Sequence, residues 1–81
     1  MKGFVKIISM DTVTPGMYEH YKGNRYEVIG VAKHSETLEE LVVYRALYGT
    51  RETWVRPLSM FFEDVEVEGK RVPRFRRIDA Q

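Results

Sequence analysis

The chain has 81 residues, 43% of them hydrophobic and including one Trp, five Tyr and four Phe, which is enough apolar surface for one core and too little chain for two. The absence of Cys excludes disulfides, thiolate metal sites and cysteine nucleophiles. A net charge of +1 gives no global attraction to nucleic acid or membrane.

Taken from the start, Met1-Lys2-Gly3-Phe4-Val5-Lys6-Ile7-Ile8 reads as a short strand over residues 4–8. Its apolar run, interrupted by Lys6, is too short for a secretory signal and far too short to span a bilayer, so a cytoplasmic protein is expected. Asp11-Thr12-Val13-Thr14-Pro15-Gly16 is a turn-rich link. Residues 17–21 and 24–33 then form a hairpin, rich in Tyr, Val and Ile, over a turn at Gly23-Asn24. A two-residue turn there pairs Tyr21 with Tyr26 and His20 with Glu27. Period-two alternation puts Tyr26, Val28, Gly30, Ala32 and His34 on one face, and Glu27, Ile29, Val31 and Lys33 on the other. Gly30 suits a bend or bulge.

Residues 37–49 carry two signals. Thr37-Leu38-Glu39-Glu40 matches a helix capping box, with Leu38, Leu41, Val42 and Arg45 at helical spacing. Leu41-Val42-Val43-Tyr44 is equally a β-rich run inside an alternating pattern. The residues alone leave helix and strand open. Next, 53–58 reads as a strand that Pro57 ends or confines to an edge. Residues 59–62 suit a short 3₁₀-like turn. Residues 64–67 and 71–77 form a last hairpin around Glu68-Gly69-Lys70. Glu63, Asp64, Glu66 and Glu68 make its first arm acidic, while Lys70, Arg71, Arg74, Arg76 and Arg77 make its second arm basic.

Four kinds of chemistry compete. No His spacing typical of a metal site occurs, so no metal or other cofactor is expected. His20 is better placed to pair with Glu27, and His34 to bond loop backbone. Ser35 lacks a base on its own face and a glycine elbow, so nucleophilic catalysis is not expected. Acid–base work by His34 and Glu36, which alternate onto one face, is the only enzymatic option. A nucleic-acid interface would use Arg74, Arg76 and Arg77 with Phe75 between them. Against it, a turn at Glu68-Gly69 sets Glu66 against Arg71 and Glu63 against Arg74, with Val65 facing Val72, leaving only Arg76 and Arg77 free. Last, Arg45 and Arg56 sit in apolar runs near Tyr44 and Trp54. Unless Glu27 or Glu36 neutralises them, they offer a guanidinium fork beside an aromatic wall for a carboxylate or phosphate. Trp54 is then either the main core aromatic or an exposed member of that surface, stacked on an arginine.

Tyr18-Glu19-His20-Tyr21-Lys22-Gly23, Val31-Ala32-Lys33-His34-Ser35-Glu36-Thr37, Leu41-Val42-Val43-Tyr44 and Trp54-Val55-Arg56-Pro57 together resemble the bacterial domain-of-unknown-function family numbered 1653. The resemblance spans residues 15–78. It implies an all-β fold, a small SH3-like β-barrel of about five strands in residues 15–81, with residues 1–14 as a strand-like N-terminal extension. It also implies a strand, not a helix, over residues 41–47. It implies no activity and carries over no site residue. The expectation is therefore a non-catalytic binding module for a peptide or small anionic ligand, with His20, His34, Glu36, Tyr44, Arg45, Trp54 and Arg56 as the candidate residues. The alternatives are a nucleic-acid-binding barrel and a small enzyme centred on His34 and Glu36. No membrane partner is expected, and self-association is left open.

Overall fold

The computed structural model describes residues 13–79; the strand expected over 4–8 lies outside them. Seven strands and one helical turn follow in order: β1 Gly16–His20, β2 Arg25–Lys33, β3 Glu40–Ala46, β4 Thr53–Pro57, α1 Leu58–Phe61, β5 Asp64–Val67, β6 Lys70–Pro73 and β7 Phe75–Arg77. The larger sheet has the order β4-β3-β2-β1-β7, and β5 and β6 form a separate hairpin. Every ladder is antiparallel. Among the described residues no ladder closes the sheet on itself. The fold is thus mostly β, an open five-stranded sheet with a hairpin and one helical turn, where a closed barrel was expected.

Residues 41–46 are a strand, so the β-branched run prevails over the capping-box signal. The reason lies in packing. Alternation sends Val42, Tyr44 and Ala46 into the core, where a helix would have spread them around its circumference. Pro57 is the last residue of the edge strand β4, where its missing N–H costs nothing. Residues 58–61 form an α-helical turn, not a 3₁₀ turn, with the Phe62 N–H donating to the Leu58 carbonyl at 3.4 Å.

Two registers differ from expectation. The β1–β2 connection is a three-residue loop, Tyr21-Lys22-Gly23, framed by the His20 N–H on the Asn24 carbonyl at 2.8 Å and the Gly23 N–H on the His20 carbonyl at 2.7 Å. Gly23 alone takes a left-handed φ of 105°, which fits the three-residue hairpin class rather than a two-residue turn. Tyr26 therefore faces Tyr18, and Glu27 faces Met17. His20 faces Phe75 of β7 instead of Glu27. The second difference lies in the strand faces of β2 beyond the bulge that Gly30 suits, where the ladder steps from Val28 to Gly30. The extra residue, Ile29, is left exposed and the alternation is reversed beyond it, so Val31 joins Val28 on the inner face opposite Val42.

The last hairpin has the expected turn and pairs, but its second arm ends at Pro73, and residues 75–77, expected to continue it, form β7 against β1 instead. Glu68 and Gly69 both have positive φ, at 51° and 80°, as a type I′ turn requires. Val65 faces Val72 and Glu66 faces Arg71.

The core lies on one face of the larger sheet, beneath α1. It joins Val13, Tyr18, Val28, Val42, Tyr44, Leu58, Phe61 and Phe75. Phe61 is wholly buried, and its ring lies flat on Phe75 with centroids 4.1 Å apart and planes 2° from parallel. At the β1 entrance the Asp79 carboxylate accepts the Met17 N–H at 3.1 Å and the Arg77 Nε–H at 2.9 Å. These bonds, the backbone one foremost, hold its carboxyl below the usual range. Gly16 takes a φ of 142°, which side-chain-bearing residues rarely adopt, and a β-carbon there would also displace the Asp79 carboxylate.

Candidate functional site

Tyr44 is the hinge between core and surface. Its ring is buried, edge-on to Phe61 and Phe75, yet its hydroxyl meets Arg56 Nε at 3.5 Å. Arg56 reaches it from β4, where it faces Val42 and its neighbour Trp54 faces Tyr44. Directly opposed residues share a face, so Trp54 and Arg56 lie on the core side of the sheet, at its open edge. Trp54 is 50% exposed; it is a surface aromatic, not the centre of the core. Arg56 is half-buried, and among the described residues no carboxylate lies within salt-bridge distance of it.

Tyr26 extends the aromatic surface. Its ring meets Tyr44, Tyr48 and Phe75 edge-on at 5.4, 5.6 and 5.6 Å, and its hydroxyl shares a 2.7 Å hydrogen bond with that of Tyr48. Burial, followed by the Tyr48 bond, raises its phenol to about 12. His20 closes the arrangement from β1, edge-on to Phe75 at 4.9 Å. Its Nδ1 accepts the Lys22 N–H at 3.2 Å, which fixes the neutral tautomer with the proton on Nε2. Burial lowers its pKa, and the charges of Arg56, Arg74 and Lys22 lower it further. Arg74, in the bend between β6 and β7, accepts the Tyr21 N–H on its carbonyl at 2.9 Å. Its Nη2 meets Glu63 Oε1 at a long 3.4 Å, and its Nε is buried without a partner.

His20, Tyr44, Trp54 and Arg56 therefore share one end of the core face, while the other expected ligand residues do not join them. Arg45 points to the opposite face and pairs with Glu27 at 3.6 Å, the neutralising option considered for it. His34 and Glu36 are exposed in the β2–β3 loop. There His34 Nδ1 accepts the Glu36 and Thr37 N–H groups at 3.1 and 3.3 Å, the loop-bonding role considered for it. The only cation–π contact among the described residues is Lys22 over Tyr21 at 5.8 Å, so the expected arginine stacking on Trp54 is not formed.

The C-terminal basic strip is likewise neutralised. Arg74 meets Glu63, Arg76 meets Glu19 at 2.9 Å and Arg77 meets Asp79 at 2.9 Å. Arg76 and Arg77, expected to be free, are thus paired with partners from β1 and from the chain just beyond β7, which the hairpin alone does not bring into view.

Sequence reasoning missed Tyr26 and Tyr48, and grouped Arg74 with Arg76 and Arg77 instead of with His20. The Glu27–Arg45 pair was the available signal: setting those opposite charges face to face fixes the β2–β3 register and puts Tyr26 opposite Ala46, close to Tyr48.

A groove of about 180 Å³ opens beside Tyr48 and Trp54, with Arg51 and Glu52 on its rim. A larger one, about 330 Å³, lies between β1 and the β5–β6 hairpin against Tyr21, Val67, Val72 and Pro73. The ionic groups at that second groove, Glu19 and Arg76, neutralise each other, so it offers apolar surface without a free charge. Among the described residues no cluster of three or more His, Asp or Glu is placed to hold a metal ion, and no helix is long and apolar enough to cross a membrane.

A family model described as a protein of unknown function (DUF1653) matches residues 16–77. The chain is also similar to a protein of that family from Bordetella bronchiseptica whose crystal structure is solved. The two are 33% identical, over 90% of this chain and 100% of the other, with a TM-score of 0.77. No curated protein matches the chain.

Proposed function

Since the chain belongs to the DUF1653 family, whose description specifies no activity, we propose a function from the site itself: a non-catalytic module that binds a small anionic ligand at Arg56. The observation that carries this reading is a half-buried arginine whose Nε is bonded to a tyrosine hydroxyl, with no carboxylate among the described residues within salt-bridge distance of it. Desolvating a cation without an opposing charge is costly, and an anionic ligand removes that cost. Arg74, Arg76 and Arg77 show the alternative solution, each having its own acid. Trp54 and Tyr48 supply an exposed aromatic wall beside the groove, as small-ligand sites commonly have. The SH3-like barrel reading of the fold is compatible with such a surface, by fold-level analogy alone.

Calorimetric titration with acetate, benzoate and inorganic phosphate tests the proposal. Saturable binding of at least one anion is expected, and Arg56→Met should abolish it while leaving the fold intact. Equal binding by wild type and Arg56→Met would place the site elsewhere.

A further inference from the structure

We infer that Arg56, Arg74 and the Nε2–H of His20 form a three-donor cradle for a small phosphate monoester, a reading that rests on the anion site proposed above.

The three groups come from β4, from the bend before β7 and from β1, and are linked through Phe75 and Tyr44. Phe75 follows Arg74 in the chain, faces His20 across the ladder and touches both His20 and Tyr44. Tyr44 in turn holds Arg56 Nε. The Tyr21 N–H bond to the Arg74 carbonyl ties Arg74 directly to the residue after His20.

Arg74 supplies the observation that Arg56 does not. Its Nε is the only buried side-chain nitrogen or oxygen without a partner among the described residues. Buried donors are nearly always satisfied, and an orphan calls for an ion, a water or a ligand. Glu63 reaches Nη2 only at 3.4 Å and leaves Nε untouched. His20 adds a neutral donor. With Nδ1 occupied by the Lys22 N–H, the imidazole keeps its proton on Nε2 without becoming a third cation.

Donor number selects the ligand. One guanidinium fork saturates a planar carboxylate. Donors arriving from three elements call for a third oxygen out of that plane, which a phosphoryl group has. A monoester carries about −1.5 to −2 charge at neutral pH and is set against two guanidinia, of which only Arg74 has a carboxylate partner, Glu63. A nucleic-acid backbone fits less well. It needs a continuous strip of free cations, whereas Arg71, Arg76 and Arg77 are paired with Asp64, Glu19 and Asp79. The groove beside Tyr48 and Trp54, at about 180 Å³, has room for a small organic group stacked on the indole.

The test is calorimetry and arginine Nε–H NMR of the intact chain, with phenyl phosphate, inorganic phosphate, benzoate and a single-stranded oligonucleotide as probes. Phenyl phosphate should bind most tightly and shift the Nε–H signals of both Arg56 and Arg74. Arg74→Lys, which keeps the charge and loses Nε–H, should weaken phenyl phosphate about tenfold or more, and His20→Phe should also weaken it; benzoate should lose less in both variants. Equal affinity for benzoate and phenyl phosphate, with no response at Arg74, would overturn the cradle and leave the Arg56 anion site standing. Oligonucleotide binding tighter than that of phenyl phosphate would overturn it in favour of a nucleic-acid surface. Absence of binding to every probe would overturn both readings.

Discussion

At one end of the core face, Phe61 is wholly buried in one cluster with Val28, Val42 and Leu58, its ring flat on Phe75, which also borders the other end. At the other end, Tyr26, Tyr44 and Tyr48 keep comparable ring contacts but turn their hydroxyls toward one another and toward Arg56. The strands and the aromatic packing are shared; the difference is a few oxygens and an arginine with no acid. Aromatic content is therefore a poor guide to where stability resides. The dry end spends its rings on burial, whereas the wet end uses them to hold donors in place.

The largest expected effect falls on the dry end. Phe61→Ala should cost about 3–5 kcal/mol by urea denaturation, enough to unfold much of so small a domain. A loss below about 1 kcal/mol would mean that the two ends do not differ in this way. Trp54→Ala, at the wet end, removes a ring that is half exposed. Its cost should stay within about 1 kcal/mol, and a cost near that of Phe61→Ala would erase the contrast.

Alkaline titration sharpens the comparison through Tyr26. Its folded pKa, about 12, lies above the ordinary value of 10.0. The native state thus resists losing the proton while the unfolded chain releases it, and this stability is complete below pH 10.0 and lost as pH rises toward about 12. Tyr26→Phe should flatten that loss, measured as the denaturation midpoint against pH; an unchanged profile would mean that the tyrosine cluster is more hydrated than its geometry indicates. The smallest effect belongs to the opposite face, where Glu27→Gln breaks the exposed pair with Arg45. Its expected cost is about 0.2–1 kcal/mol, reduced further by salt.

Much of this contrast was written in local patterns. Glu68-Gly69 gave the last turn and its cross-strand pairs correctly because a two-residue turn fixes its own register. The turn of the β1–β2 hairpin is one residue longer and lies earlier than expected, so Tyr26 faces Tyr18 instead of Tyr21, and His20 leaves Glu27 and faces Phe75. The bulge after Val28 had a signal in Gly30, but its reversal of the strand faces depended on Val31 finding Val42. Tyr44, Trp54 and Arg56 were legible as neighbours because they share one face of adjacent strands. Arg74 was not, because its place beside His20 arises from a ladder between β1 and β7, strands far apart in the chain. For the same reason Glu19 was not foreseen as the partner of Arg76.

The central claim is that the wet end holds a cation awaiting an anion. Arginine Nε–H NMR during a phosphate titration at two salt concentrations tests it most directly. Saturable shifts at Arg56, retained at the higher salt and absent in Arg56→Met, are the predicted result. Shifts confined to exposed arginines such as Arg25 and Arg51, disappearing with added salt, would contradict it.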